Sequence, residues 1–562
     1  MLCSDLLRKA GIFMKKVSHV RLTVNILITI AASAVYYFFF LPPINFKSGD
    51  FWAFFMFVLI VFSVLTVIGV GTSAVQDRTL RGTGAYLWKN LRIPLILAAL
   101  GALVCIVGAI TSAVIFNSSR YSSLLSLTEG DFAKDVTEIT YDEIPMLDED
   151  SSNTLANRKL GELSDLVSQF EVDDESAQIN YRGKPIRVSY LNYGDFFKWI
   201  NNRKEGIPAY LIVDMVTQEV TVERLEQGMK YTPSEPFFRN IDRHLRFRYP
   251  TLMFDDVNFE IDEDGTPYFV ASVVDKTIGL FGGTDVKGAV LVNAVTGESD
   301  YYAIADVPSW VDRAHTASLI ISQYDYYGRY HNGYWNSVFG QAGCTMTTDG
   351  YNYIAQDDDV WVYTGITSVG GDESNVGFIL VNQRTKEAKF YSVAGAEEFS
   401  AMNSAEGSVQ QYKYSATFPL LLNVDGQPTY FMALKDASQL VKMYAMVNVQ
   451  QYQIVSNGYS LSECETNYHN LLVGNGVISG EEIEEPDERT VEVTGQISQI
   501  RSAVVDGTTV YFVSLSGNDG TYYRLSAEEN EKAVLLNIGE SITLLIKEND
   551  NSGTEIIPAL MK

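Results

Sequence analysis

Leu291-Val292-Asn293-Ala294-Val295-Thr296-Gly297-Glu298 decides the fold, because its pattern returns three more times along the chain. Ile212-Val213-Asp214, Leu380-Val381-Asn382 and Met446-Val447-Asn448 repeat the aliphatic pair before Asp or Asn. The first two of these also repeat the Thr and Glu that follow, as Thr217/Glu219 and Thr385/Glu387. Asx side chains close local turns, and the flanking residues alternate apolar with polar, so each copy reads as strand, tight turn, strand.

Working outward, Asp264-Gly265-Thr266-Pro267-Tyr268-Phe269 and Asp425-Gly426-Gln427-Pro428-Thr429-Tyr430-Phe431 form a matched strand before two of the copies. A stretch of helical period precedes each. One opens at Ser234, carries Phe238, Ile241 and Leu245 on a single stripe, and stops at Pro250. The other runs from about Ala396 to Gln411. A third unit places a helix at Trp310–Tyr324, strands at Tyr351–Val369 and a strand pair at Val376–Val393. The fold class is therefore α+β, with tandem helix-strand-strand repeats over residues 181–479 whose apolar helix faces need a sheet to cover them.

On either side the composition changes. Residues 117–180 begin polar, become acidic around Tyr141-Asp142-Glu143 and Asp148-Glu149-Asp150, and read as an acidic stalk. Residues 480–488, Gly-Glu-Glu-Ile-Glu-Glu-Pro-Asp-Glu, have almost nothing to bury and mark a linker. Beyond it, 489–562 alternates over Val491–Ile500, Thr509–Leu515, Thr521–Leu525 and Ser541–Lys547, with a short helix at Ala527–Leu536. That pattern suits a small β-barrel of the OB-fold or SH3-like kind.

Residues 1–116 are a membrane anchor. Leu22–Leu41, Phe51–Val70 and Ile93–Phe116 are free of charge and apolar. Each has about the 20 residues that cross a hydrocarbon core about 30 Å thick. Five basic residues precede the first run and four lie between the second and third, against one in the connection holding Lys47. The positive-inside rule then puts the N-terminus inside the cytoplasmic membrane and residues 117–562 outside.

Charge separates the two parts. The anchor carries ten Lys/Arg against three acids, whereas residues 117–562 carry 32 basic and 66 acidic side chains. So acidic a surface repels phosphate backbones and anionic lipid headgroups, which argues against nucleic acid as a partner. Of four cysteines, Cys344 and Cys464 fall in the large acidic part, where an outside location permits a disulfide. No CxxC or HExxH spacing, nucleophile elbow or phosphate loop occurs, and His244, His315, His331 and His469 lie far apart.

Two groups of residues are candidate sites. Tyr324, Tyr326, Tyr327, Tyr330, Tyr334, Trp335 and Phe339 crowd into sixteen residues beside Gly328, Gly333 and Gly340. Rings with polar tips stack on sugars or anchor peptides, and they equally close a core between repeats. Asp357, Asp358 and Asp359, with Asp372 and Glu373 downstream, offer hard oxygen ligands to calcium. A solvated acidic turn is the plainer reading, since the EF-hand spacing and its glycine are missing.

The unit ending in Leu291–Glu298 resembles the PepSY module, whose last strands commonly carry an Asp/Asn-x-x-Thr-Gly-Glu turn. The resemblance implies an extracytoplasmic, envelope-associated setting and transfers no catalytic residue. Tyr141–Asp148, Ile278-Gly279-Leu280-Phe281-Gly282-Gly283 and Phe418-Pro419-Leu420-Leu421-Leu422-Asn423 are similar to an uncharacterised family of multi-pass membrane proteins of Gram-positive gut anaerobes. That likeness implies the layout and no activity. Together these readings lead to the expectation of a non-enzymatic, membrane-anchored binding or scaffolding protein of the cell envelope, with an envelope protein or a cell-wall component as partner. The rival is an envelope hydrolase using acidic residues in a cleft, because paired carboxylates leave no local signature.

Overall fold

A computed structural model describes residues 2–77, 83–136, 144–356, 359–370, 374–479, 490–505, 508–516, 521–527, 530–547, 556–558 and 560–561. The expected linker at 480–488 and the acidic residues Asp357, Asp358, Asp372 and Glu373 lie outside them. The chain divides into two compact units, Met1–Leu472 and Val473–Lys562.

The first unit opens with helices Leu2–Phe40, Gly49–Asp77 and Thr83–Ser112. Val20–Phe40, Gly49–Gly69 and Leu87–Ser112 are long and apolar enough to cross a membrane, which matches the three charge-free runs. A short helix, Val114–Ser122, continues from the third.

Four modules follow, each a helix leading into an antiparallel meander. Module one has the helix Glu149–Gly161 and central strands Lys184–Tyr193, Ile207–Asp214 and Val220–Met229. Module two has the helix Ile241–Arg248 and strands Met253–Ile261, Pro267–Ile278, Gly282–Asn293 and Ser299–Ala303. Module three pairs the helix Ala317–Tyr330 with Asn352–Gln356, Asp359–Ser368, Ser374–Asn382 and Ala388–Tyr391. Module four pairs Glu398–Ser408 with Leu420–Val424, Gln427–Lys435, Val441–Asn448 and Val455–Gly458.

The Asx positions do the same work in every module. Asp214 Oδ1 accepts from Val216 N and Thr217 N, and Asn293 Oδ1 from Val295 N and Thr296 N. Asn382 Oδ1 accepts from Arg384 N and Thr385 N, and Asn448 Oδ1 from Gln450 N and Gln451 N. In the first three modules the next residue is left-handed, with φ of 62° at Gln218, 75° at Gly297 and 65° at Lys386. This is a four-residue hairpin loop closed by the amides of Asp214, Asn293 and Asn382 on the carbonyls of Glu219, Glu298 and Glu387, and the Asx oxygen satisfies two amides that the loop leaves open. The residue after each Asx then bonds to the start of the preceding strand: Met215, Ala294, Gln383 and Val449 donate to the carbonyls of Pro185, Pro267, Val360 and Pro428.

Modules one and two share one core, in which Tyr190 of the first lies 5.3 Å from Phe259 and 5.4 Å from Phe269 of the second. Of residues 117–180, expected as a stalk, the described stretches 117–136 and 144–180 enter the globular body. Leu127–Glu129 pairs in parallel with Ala388–Phe390, and the helix at 149–161 covers module one.

Other boundaries differ from the sequence reading. The helix expected at 310–324 starts at Ala317, with Thr316 as its N-cap, and runs on to Tyr330. In the stretch from Ser234 only Ile241–Arg248 is α-helical; Ile241 and Leu245 are buried there while Phe238 is exposed. Cys344 and Cys464 are both free and buried.

The second unit is an open six-stranded sheet whose long strand Thr490–Val505 pairs with Ser541–Lys547 along one half and Thr508–Leu515 along the other. The sheet does not close among the described residues, so the expected barrel is corrected to an open sheet. A 3-10 turn at Glu531–Leu535 stands where a short helix was expected.

Candidate functional site

Strands from modules one, two and three, with Phe418 of module four, line a cleft of about 410 Å³. Its floor holds two arginines. Arg187, on the first long strand of module one, is 5% exposed. Its Nη1 donates to the Ser176 carbonyl at 3.1 Å and lies 3.8 Å from Glu149 Oε2. Arg313 follows the last strand of module two; its Nη2 donates to Tyr353 OH at 3.1 Å and its guanidinium lies 5.3 Å from the centre of that ring. The Nε of each arginine is buried with no hydrogen-bond partner. Asn258 Nδ2, also in the lining, is likewise unpartnered.

Carboxylates surround these cations. Glu149 sits in the first helical turn of module one, and its Oε1 accepts from Ser176 N at 3.2 Å. Asp148 caps that helix and receives Lys435 Nζ at 2.5 Å from module four. Partial burial, with repulsion from Asp173, Asp256 and Glu149, raises the Glu175 carboxyl above the usual range, and Arg313 opposes the shift. Glu260 lies behind the floor, fully buried, accepting from Asp312 N and Arg313 N. Burial pushes it up to about 7. The cleft thus offers one desolvated cationic floor inside an acidic rim, the arrangement that holds an anionic group and an ammonium group together.

Of these residues only Asp148 and Glu149 stand out in the sequence, as part of an acidic run. Arg187, Asp256, Arg313 and Tyr353 come from three modules, and Asp256 and Arg313 stand far apart along the second, so no local spacing signals them. The only cue is the repeat itself, since modules that share faces create clefts between them.

The aromatic segment forms a ladder instead of a flat platform. Tyr324 is 2% exposed and belongs to the core of module three, its OH 3.2 Å from Thr345 Oγ1, which removes it from any surface. Tyr326 meets Tyr121 at 4.7 Å with the rings tilted; Tyr326 to Tyr330 and Tyr330 to Tyr334 follow, stacked, at 6.2 and 6.3 Å. Tyr326, Tyr327, Tyr330 and Tyr334 are half-buried. Only the end is open, with Trp335 63% and Phe339 79% exposed. At the calcium candidate, Asp359 is buried and bonds to Arg384 at 2.6 and 2.7 Å and to Asn382 Nδ2 at 2.8 Å. Its oxygens serve a cation of the chain itself. Among the described residues no cluster of three or more His, Cys, Asp or Glu has a metal-holding arrangement.

A second cavity of about 630 Å³ lies where the spans meet module two, lined by Leu41, Asp50, Arg246, Asp255, Lys276 and Gln323 among others.

No family model and no curated protein matches the chain. Two solved structures are similar to it in part. The putative exo-beta-1,3-galactanase from Bifidobacterium bifidum s17 shows 9% identity over 53% of this chain and 75% of its own, with a TM-score of 0.17. An ACO/RPE65 chimera shows 9% identity over 70% of this chain and 62% of its own, with a TM-score of 0.13. At such TM-scores neither bears on fold or function.

Proposed function

We propose that the chain is a membrane-anchored binding protein of the cell envelope, non-enzymatic, whose four PepSY-like modules converge on a cleft for a small ligand with an anionic and a cationic end. The observation that carries this reading is the pair of guanidinium groups, Arg187 and Arg313, that line the cleft. A guanidinium lining a cleft presents its N–H donors as a fork that a carboxylate or phosphate fits best. The acidic rim then selects for a positive group on the same molecule. A short peptide with free termini, as a cell-wall component or an envelope protein would present, is the simplest such ligand. The Lys/Arg distribution around the spans supports an inside N-terminus with the cleft outside. A phosphatase fused after Phe116 is then active and one fused near Gly84 silent; the reverse pattern overturns the orientation.

Calorimetry on the full chain in detergent tests the cleft. Trialanine with free termini binds, the same peptide acetylated and amidated does not, and Arg187→Gln weakens binding about tenfold or more, the loss of one charged hydrogen bond. Equal binding of the capped peptide overturns the reading. The hydrolase alternative rests on a different observation, the raised Glu175 carboxyl beside Asp256. Peptide cleavage in the same sample, abolished by Glu175→Gln, would favour it over simple binding.

A further inference from the structure

Module one carries Phe196-Phe197-Lys198-Trp199 on the helix Phe196–Asn202, and the approach to the module-two helix reads Pro236-Phe237-Phe238-Arg239, ending in Arg246-Phe247-Arg248. Five of these rings face outward: Phe196 is 55% exposed, Phe197 74%, Phe237 54%, Phe238 64% and Phe247 45%. They form one ridge that continues into the first span. Tyr37 and Phe38, inside that span, lie 5.7 Å from Phe247 and 5.8 Å from Phe238. Phe238 meets Phe247 at 5.5 Å; from Phe237 the ridge passes to Trp199 at 6.1 Å, Phe196 at 5.2 Å and Phe197 at 6.3 Å.

Two further observations show that this ridge is built. Phe237 adopts φ of 62°, a left-handed conformation rare for a bulky side chain, and that turn sends two phenyl groups outward in succession. Glu235, 1% exposed, fixes both halves: its carboxylate accepts from Tyr193 OH at 3.0 Å, Trp199 Nε1 at 2.8 Å and Arg239 Nη2 at 3.0 Å. Charge also reverses here. Residues 195–205 hold Lys198, Arg203 and Lys204 against Asp195 and Glu205, and 235–248 hold four arginines against Glu235 and Asp242, a net basic ridge in a globular part that is otherwise strongly acidic. Arg243 lies 4.6 Å over the Phe38 ring, where the span ends.

We propose that this aromatic and arginine ridge lies in the headgroup and acyl boundary of the bilayer, so that modules one and two rest on the membrane and contact anionic lipid. Rings that touch residues 37 and 38 sit at the depth of the end of that span. Phenyl and indole groups with flanking Arg and Lys are the composition of an interfacial surface. The occupant is lipid because the ridge is continuous with a span that is itself in lipid.

The test uses the full chain in nanodiscs of phosphatidylcholine, alone or with a quarter replaced by phosphatidylglycerol. The photoreactive amino acid p-benzoylphenylalanine replaces Phe197 or Phe238, and Tyr452, an exposed residue of module four, serves as control. Irradiation is expected to give lipid adducts at 197 and 238 by mass spectrometry, at least tenfold above position 452. The yield at 197 is expected to rise at least twofold with phosphatidylglycerol. Adducts no more frequent than at 452, or adducts only to protein, overturn the proposal. Equal yield in the two lipid mixtures overturns its anionic part.

Discussion

Two of the aromatic clusters among the described residues differ in how they are made. The ladder from Tyr324 to Phe339 is local: its rings meet at four-residue spacing along one helix and its continuation, rooted in the core of module three. The ridge from Phe197 to Phe247 is assembled from two modules and a span, with a buried carboxylate holding the parts together. Density along the sequence thus marks a helix face, whereas exposure follows from assembly. The denser cluster is the more buried one.

The largest effect expected from this contrast is on stability. Tyr324→Ala empties a core site and should cost about 3–5 kcal/mol, read as a lowered melting temperature of the full chain in detergent. Phe197→Ala should leave that temperature nearly unchanged. Equal losses would erase the distinction between a rooted ladder and a displayed ridge.

Next comes pH. His315 lies just before the ladder helix, buried, its Nδ1 3.0 Å from the Gln383 carbonyl, and burial pushes its pKa down to about 4. In the unfolded chain it titrates near 6.5, so between those values the unfolded state binds the extra proton. Stability attached to the neutral ring is therefore complete above about 6.5 and is lost as pH falls through about 4. The loss is about 3 kcal/mol. Denaturation at pH 7 and pH 4, with His315→Gln for comparison, measures it. A wild-type slope unchanged in the variant would detach the ladder from this anchor.

Thr316→Ala is smaller. Thr316 Oγ1 accepts from Leu319 N at 3.4 Å and donates to Asp255 Oδ2 at 2.6 Å, so its removal should cost about 1 kcal/mol. Smallest of all is Trp335→Ala at the open end, within about 0.5 kcal/mol by the same thermal measurement. A larger loss would place Trp335 in a contact that its 63% exposure does not suggest.

The repeat is legible in the sequence because Asx chemistry is local: one side chain and the two amides ahead of it suffice, and Asp214, Asn293 and Asn382 all obey it. The spans are legible because length and apolarity need no tertiary partner. The cleft is not, since Arg187 and Arg313 become a pair only when separate sheets meet. The ridge has a visible cue in Phe196-Phe197-Lys198-Trp199 and Phe237-Phe238-Arg239. That cue is masked because the stripe Phe238, Ile241, Leu245 fits a buried helix face, and the left-handed turn at Phe237 rotates Phe238 off it.

The connection between the first two spans has a mechanical meaning. Ile44 N donates to the Pro250 carbonyl at 2.6 Å, Asn45 Nδ2 to Thr251 O at 3.0 Å, and Lys47 Nζ to Asp275 and the Lys276 carbonyl. At the end of the third span, Ser112 Oγ accepts from Phe281 N at 2.9 Å, and Arg120 reaches the Thr277 carbonyl. Module two is therefore bolted at two points instead of hung from one. A single tether lets a domain swivel; two mounts convert a push on the module into torque on the spans, so that tilting either part turns the other as one lever.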